Sequence, residues 1–402
     1  MNIFIKFNFM GNQLDSNLQL KGKRVLLRVD LNVPMQNGSI TETTRIEKIL
    51  PTIELLIKKE AKIIILSHIG RPKGKIVSEM SLEPISKKLS EYLNRKVLFN
   101  KNEINQNTIS EINKMPNCSI MMLENIRFYK EEESNDKEFS KKISTLGDIY
   151  INDAFSCSHR SHASIDGITK YLPSYFGLQI IEEISALKKL TSEIKKPITC
   201  IIGGSKISTK INVINNLIKI FDNIIIVGGM ANTIIQYKGY NIGKSIYEND
   251  KENLIKEIFE KSKKYNCKII YPIDIVVSKS LDGLAENKEL NSVEKDEMIL
   301  DIGPKTVSSI KETIENSNTV LWNGPAGYFE NPNFEKGTKD ILEIISNKKN
   351  KDRIFSVAGG GETVAAINKF KMSNSFDFVS TAGGAFLEFL EGKTLPGIKA
   401  IN

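Results

Sequence analysis

Three histidines, one tryptophan and four cysteines are all that 402 residues contain of these types. The cysteines, Cys118, Cys157, Cys200 and Cys267, stand far apart and form no CxxC pair, which excludes a paired-thiol redox motif and a zinc ribbon. Four are also too few to staple a chain of this length, so reduced thiols in a cytoplasmic protein are expected. Long hydrophobic runs are missing: pieces such as KIIIL and NIIIV fall far short of the ~20 residues of a membrane helix. The first residues, MNIFIKFNFMGNQ, lack the charged start, unbroken apolar block and small-residue cleavage site of a secretion signal and read as a frayed leader. No aromatic-and-basic ribonucleoprotein pattern and no paired Cys and His finger spacing occurs, which argues against a nucleic-acid module.

What is present is charge. Lys and Arg number 56 against 48 Asp and Glu, so 56 − 48 = +8, a balance that favours anionic partners. Many lysines fall in solvated runs such as NKKNKD, and the acidic run KEEESNDKE (130–138) has the same reading as an exposed loop or helix start. A chain this long exceeds one ordinary domain. Along it, short β-branched runs alternate with segments of helical spacing, the signature of parallel α/β units. The runs are KRVLLRVD, AKIIILSH, CSIMMLEN and GDIYINDA in the first half. In the second they are PITCIIGG, NIIIVGG, CKIIYPID, NTVLWNGP, RIFSVAGGG and FDFVSTAGG. The expected fold class is α/β, with two doubly wound, Rossmann-like parallel-sheet domains. Residues 1–180 form the first, 181–196 (IEEISALKKLTSEIKK) a connecting helix, 197–385 the second and 386–402 a tail.

In open α/β sheets the loops leaving the carboxyl ends of the strands line the ligand crevice. In the first half these loops carry cations and hydrogen-bonding groups: Arg28, Asp30 and Asn32; His68 and Arg71; Arg127; His159, Arg160 and His162. All three histidines neighbour an arginine, where a metal ion would be repelled, so donors to an anion are the better reading. Guanidinium is the preferred planar fork for carboxylate and phosphate, and several converging forks imply a small, highly charged anion. Taken singly, each arginine is as readily a structural ion pair; four at equivalent strand ends shift the balance. In the second half the loops carry glycines instead: Gly203 and Gly204, Gly228 and Gly229, Gly359 to Gly361, Gly383 and Gly384. Glycine between strand and helix lets backbone amides approach a phosphate. Lys206 and Lys210 in GGSKISTK are four apart and share a face if the helix has begun. The pattern is neither a Walker A loop nor a dinucleotide fingerprint, so a nucleotide phosphate site of another type fits.

In its motifs and their order the chain closely resembles phosphoglycerate kinase. RVDLNVP, TTRIEKILPTI, LSHIGRP, LENIRF, NDAF with SHRSHAS, IIGGSKISTK, VGGMANT, LWNGPAGYFE, AGGGETVAA, STAGGAFLEFLEG and LPGI follow the family's order from about Gly22 to the end. The resemblance implies two domains facing across a cleft, with the tail returning to the first. It implies a glycolytic transferase that passes a phosphoryl group between 1,3-bisphosphoglycerate and ADP, giving 3-phosphoglycerate and ATP, with Mg2+ and by hinge closure. The family expectation is a cytoplasmic monomer with no nucleic-acid or membrane partner; a catalytically inactive nucleotide-binding scaffold is the alternative. Carried over, Asp30, Asn32, Arg45, His68, Ile69, Gly70, Arg71, Arg127 and Arg160 would hold 3-phosphoglycerate. Lys206, Lys210, Gly303, Asn323, Glu330, Gly360, Gly361, Glu362 and Thr363 would hold the nucleotide. Arg45, Lys206, Lys210, Gly360 and Gly361 would be catalytic, and Glu362 would bind the metal. The family usually has Asp at the position of Glu362, and glycine is common at that of Ala382.

Overall fold

The computed structural model describes residues 11–402 apart from 16, 37 and 353. The leader reading therefore falls, for residues 1–10, outside the described residues. The described chain divides into two compact units. Ala186–Lys393 is one, and the other joins the residues before it to Thr394–Asn402. The chain passes between units inside a single helix, Leu178–Thr191, and again just after Lys393.

The first unit is built on β1 (Arg24–Val29), β2 (Lys62–Leu66), β3 (Val97–Asn100), β4 (Ile120–Leu123), β5 (Ile149–Asp153) and β6 (Ser174–Phe176). They form one parallel sheet in the order β3-β4-β2-β1-β5-β6. These strands are continuous apolar runs because helices cover both faces of a parallel sheet. Val25, Leu27, Ile63, Ile65 and Ile151 pack with Ile46, Ile49, Ile53 and Leu56 of the helix Thr44–Lys58, while Leu26 and Ile64 are equally buried in between. Strand order reverses beside β1, which sets the crevice at the ends of β1 and β5.

The second unit repeats the plan with β7 (Ile198–Ile202), β8 (Asn223–Ile226), β9 (Lys268–Ile270), β13 (Thr319–Asn323), β14 (Phe355–Gly359) and β15 (Phe378–Ser380), in the order β9-β8-β7-β13-β14-β15. Its core centres on Trp322, which stacks on Phe376 with ring centroids 5.9 Å apart. One expectation needs correction. CKIIYPID is not one strand: Pro272 separates β9 from β10 (Asp274–Ser278), which leaves the parallel sheet. β10 joins β11 (Glu286–Glu289) and β12 (Met298–Ile302) in an antiparallel sheet with a small core of Ile235, Ile242, Ile275 and Val277. β9 is the edge strand of the parallel sheet, where a proline, lacking an N–H to donate, is tolerated just past its end.

Candidate active site

In the first unit the strand-end loops meet at the crevice between β1 and β5. The Asp30 carboxylate accepts a 2.6 Å hydrogen bond from Arg45, the second residue of the helix Thr44–Lys58. It also accepts from the Ser156 hydroxyl and from the Asn32 amide at 3.0 Å. Burial pushes this carboxyl up, but Arg45 and the Ser156 bond outweigh it and hold the group below the usual carboxylate range. Asn32 accepts from the Gly70 amide at 2.9 Å, and Arg127 donates to the Gly70 carbonyl at 2.7 Å, so the His68–Arg71 loop is held from both sides. Asn125 completes the frame by donating to the carbonyls of Ile69 and Met80 at 2.8 and 2.9 Å. Arg71 stands exposed at the end of this loop, and Arg160 is half-buried with its Nε on His159 Nε2 at 3.1 Å.

The cations press on one another. Burial lowers the Arg127 pKa, and Arg28 and Arg160 lower it further. Burial likewise drives His68 well below its ordinary value, with Arg28, Arg127 and Arg45 adding to the shift. His162 is driven down to about 3 by burial and by Arg127, Arg28 and Arg160. Its Nδ1 lies 3.7 Å from a Glu132 oxygen, a distance at which a protonated ring would pair. Glu132, however, is fully buried, is itself pushed up by that burial and is satisfied by Ser164, so His162 is neutral. A neutral folded-state ring against an unfolded pKa near 6.5 means that these two histidines favour unfolding as pH falls below about 6.5. The ring protons of His68 and His162 are expected to hold constant chemical shifts by NMR from pH 8 to pH 5; a titration midpoint near 6.5 at either ring would refute this.

Two expectations fail here. Arg28 does not face a ligand. It is 1% exposed and donates to Ser164 Oγ at 3.0 Å, to the Val29 carbonyl and towards His68 Nδ1 at 3.2 Å. The acidic run 130–138 is not wholly solvated either, because Glu132 turns inward beneath Arg28. Among the described residues, Asp30, His68 and Cys157 bring potential metal ligands within 4.8 Å of one another. Arg45 on Asp30 and Arg28 on His68 already occupy those atoms with positive charge, so the set does not suit a cation.

In the second unit the glycine loops border a cavity of about 280 Å³. One side is apolar, with Pro272, Ile275, Met298, Leu300 and Ile302; the other carries Gly204, Gly228 and Gly229, and Glu330 and Glu362 also line it. Asn323, at the end of β13, ties the phosphate-type loops together. It accepts from Lys210 Nζ and donates to the Gly359 carbonyl at 2.5 Å, and the Gly324 amide donates to Thr363 Oγ1 at 2.7 Å. Gly360 has φ +103°, and a Cβ there would lie 2.5 Å from Asn323 Nδ2, so only glycine fits between β14 and the helix Gly361–Lys369. Burial lowers the Lys210 pKa, with Cys200 and then Glu362 opposing.

Lys206 and Lys210 do not share a helical face. The helix starts at Ile211, and both lysines precede it, Lys206 exposed and Lys210 turned onto Asn323. Gly303 packs on Asp274, and it is its neighbours Asp301 and Ile302 that line the cavity. Asp301 was not legible in the sequence. Its carboxylate accepts the Gly337 and Ile302 amides at 2.6 and 2.9 Å, and burial pushes it up to about 7. Of the carboxylates at the cavity, Glu362 is exposed in the first turn of its helix, so a hard cation shared with phosphate oxygens suits it better than Asp301.

The phosphoglycerate kinase family model matches residues 15–393. Phosphoglycerate kinase of Chelativorans sp. (strain BNC1) is 45% identical over 391 residues, covering 97% of this chain and 98% of the relative. That of Dictyoglomus turgidum is 45% identical over 385 residues, covering 95% and 96%. A solved structure of phosphoglycerate kinase from Coxiella burnetii superposes with a TM-score of 0.88 at 40% identity, covering 96% of this chain and 97% of that one. The structure from Pyrococcus horikoshii OT3 gives 0.82 at 30% identity, covering 97% and 98%. With two parallel-sheet units, an arginine-lined crevice in one and a glycine-lined cavity in the other, the chain belongs to the phosphoglycerate kinase family.

Proposed function

We propose that this chain catalyses reversible phosphoryl transfer from 1,3-bisphosphoglycerate to ADP, giving 3-phosphoglycerate and ATP, as a monomeric glycolytic enzyme of the cytoplasm. The observation that carries the reading is the group of cations gathered at the β1/β5 crevice, where the Arg127 pKa is lowered by burial and further by Arg28 and Arg160, with Asp30, Glu132 and Glu133 as the acidic partners paired there among the described residues. Such a set is unfavourable until an anion neutralises it. Asp30, Asn32, Arg45, His68, Ile69, Gly70, Arg71, Arg127 and Arg160 are assigned to 3-phosphoglycerate. The nucleotide is assigned to the cavity of the second unit. Its base lies on the apolar side, its ribose towards Glu330, and its phosphates towards Lys206, Lys210 and the amides of Gly360 and Gly361.

In the direction of ATP use, the attacking group is a carboxylate, already ionised at neutral pH, so no general base is needed. What remains is to orient it and to offset charge on the equatorial oxygens of the metaphosphate-like group in flight. Arg45 supplies a cation from one unit. Lys210 supplies one from the other, aimed by Asn323. Because the two substrates belong to different units, the reaction requires the units to bring them together, which also excludes water from the acyl phosphate. Glu362 would hold Mg2+, which supplies charge neutralisation on the nucleotide phosphates when bound.

Turnover is measured by coupling 3-phosphoglycerate and ATP consumption to NADH oxidation, with and without magnesium; no turnover under any condition would end this reading. Glu362→Gln keeps the shape but removes the charge. It is expected to raise the magnesium concentration for half-maximal rate by at least ~10-fold, since metal sites of this kind rest on one or two carboxylates. An unchanged magnesium dependence would remove Glu362 from the metal.

A further inference from the structure

Lys206 and Lys210 sit on a turn ahead of the helix, closed locally by the Lys210 amide on the Ile207 carbonyl at 3.1 Å and by Thr209 Oγ1 on the Lys206 carbonyl at 2.8 Å. Ser208, midway between them, is held by a residue outside every motif singled out in the sequence. The Ser208 amide donates to Glu248 Oε2 at 2.8 Å, and the Ser208 hydroxyl donates to the other carboxylate oxygen. Glu248 is itself pinned. Its own amide donates to Thr233 Oγ1 at 3.2 Å, and Thr233 is buried in the helix Gly229–Tyr237. Two residues earlier, the Ile246 carbonyl accepts from Asn232 Nδ2 at 3.1 Å. The Ile246 side chain fills the space over Gly229, where a Cβ would lie 2.5 Å from it. Residues 246–248 are thus a strap. One end forms part of the cavity wall through Ile246, and the other grips the lysine loop.

We propose that Glu248 is a positioning residue for phosphoryl transfer, fixing the Lys206–Lys210 loop against the nucleotide cavity through its paired hydrogen bonds to Ser208. This rests on the reading that the two lysines act on the transferred phosphoryl group. Both carboxylate oxygens are engaged by Ser208, which accounts for their orientation. Burial works against its ionisation, but the Ser208 bonds keep its carboxyl below the usual range. Charge-assisted bonds of this kind are among the stronger ones, and a loop displaced by an ångström loses catalytic power steeply.

The test compares Glu248→Ala, Ser208→Ala and the double variant with the unaltered protein. Glu248→Ala is expected to lower kcat/KM for ATP by ~10- to 100-fold. Ser208→Ala, which spares the backbone bond, should lower it less. The double variant should be no worse than Glu248→Ala alone, because the residues act through one contact. Affinity for 3-phosphoglycerate, measured by isothermal titration, should be unchanged in all three. If Glu248→Ala does not fold, the near-isosteric Glu248→Gln carries the same comparison. Unchanged kcat/KM for ATP, additive losses, or an equal loss of 3-phosphoglycerate affinity would each overturn the positioning role. An unaltered protein that turns over no substrate would instead overturn the activity on which the role rests.

Discussion

Replacing Lys210 with alanine is expected to lower kcat at saturating ATP and 3-phosphoglycerate by ~10²- to 10³-fold, the usual cost of removing one preorganised group at developing charge. Lys210 is suited to this role by its surroundings. It is half-buried, burial lowers its pKa, and its ammonium donates to Asn323, which is itself anchored on Gly359. A cation so placed is already desolvated and oriented before substrate arrives, so its field acts without reorganisation at the moment of transfer. Removing it leaves Asn323 able to hold the β14 loop, and the fold should survive. Arginine is not a conservative replacement, since its planar fork cannot reproduce a compact ammonium against Asn323. The coupled assay, with 3-phosphoglycerate binding and thermal unfolding measured alongside, checks this. A kcat within about threefold of the unaltered value would exclude Lys210 from the transfer.

The second large effect is on stability. Arg28→Leu is expected to destabilise the first unit by ~3–5 kcal/mol, the range for leaving a buried charge without its compensating partner. Arg28 is almost fully buried and reaches Glu132 through Ser164, so without it the interior Glu132 loses the stronger of the two cations, Arg28 and Arg127, that favour its ionisation. Arg160→Ala should behave oppositely. It is half-buried at the crevice, so 3-phosphoglycerate binding should weaken with little change in stability. Urea unfolding followed by far-UV circular dichroism separates the two, since the sole tryptophan, Trp322, reports on the other unit. Arg28→Leu with unaltered stability and a raised KM for 3-phosphoglycerate would assign Arg28 to the ligand instead.

This contrast marks how far the sequence could be read. Most central strands of both parallel sheets, and the loops bearing Asp30, His68, Arg127, Gly204 and Gly360, were visible. They follow from local pattern, because parallel α/β units send every strand-to-helix loop to the same edge of the sheet. Among the strands missed, Val97–Asn100 and Ser174–Phe176 are short edge strands with weak apolar signal, and Glu286–Glu289 is mostly charged. The lysine spacing in GGSKISTK suggested a shared helical face, but a turn closed by the Lys210 amide on the Ile207 carbonyl precedes the helix, which begins only at Ile211.

Alone, the sequence determined the fold class and the chemical division between a cationic half and a glycine half, because apolar periodicity and residue type at strand ends are short-range properties. Only the tertiary structure decided which cations remain free for a ligand. Arg28 is consumed by Ser164, 136 residues away, and the Lys206–Lys210 loop is set by Glu248, 40 residues from Ser208. Such partners are chosen by proximity in the folded chain, where low dielectric makes an unpaired charge costly and pairing across long separations worthwhile.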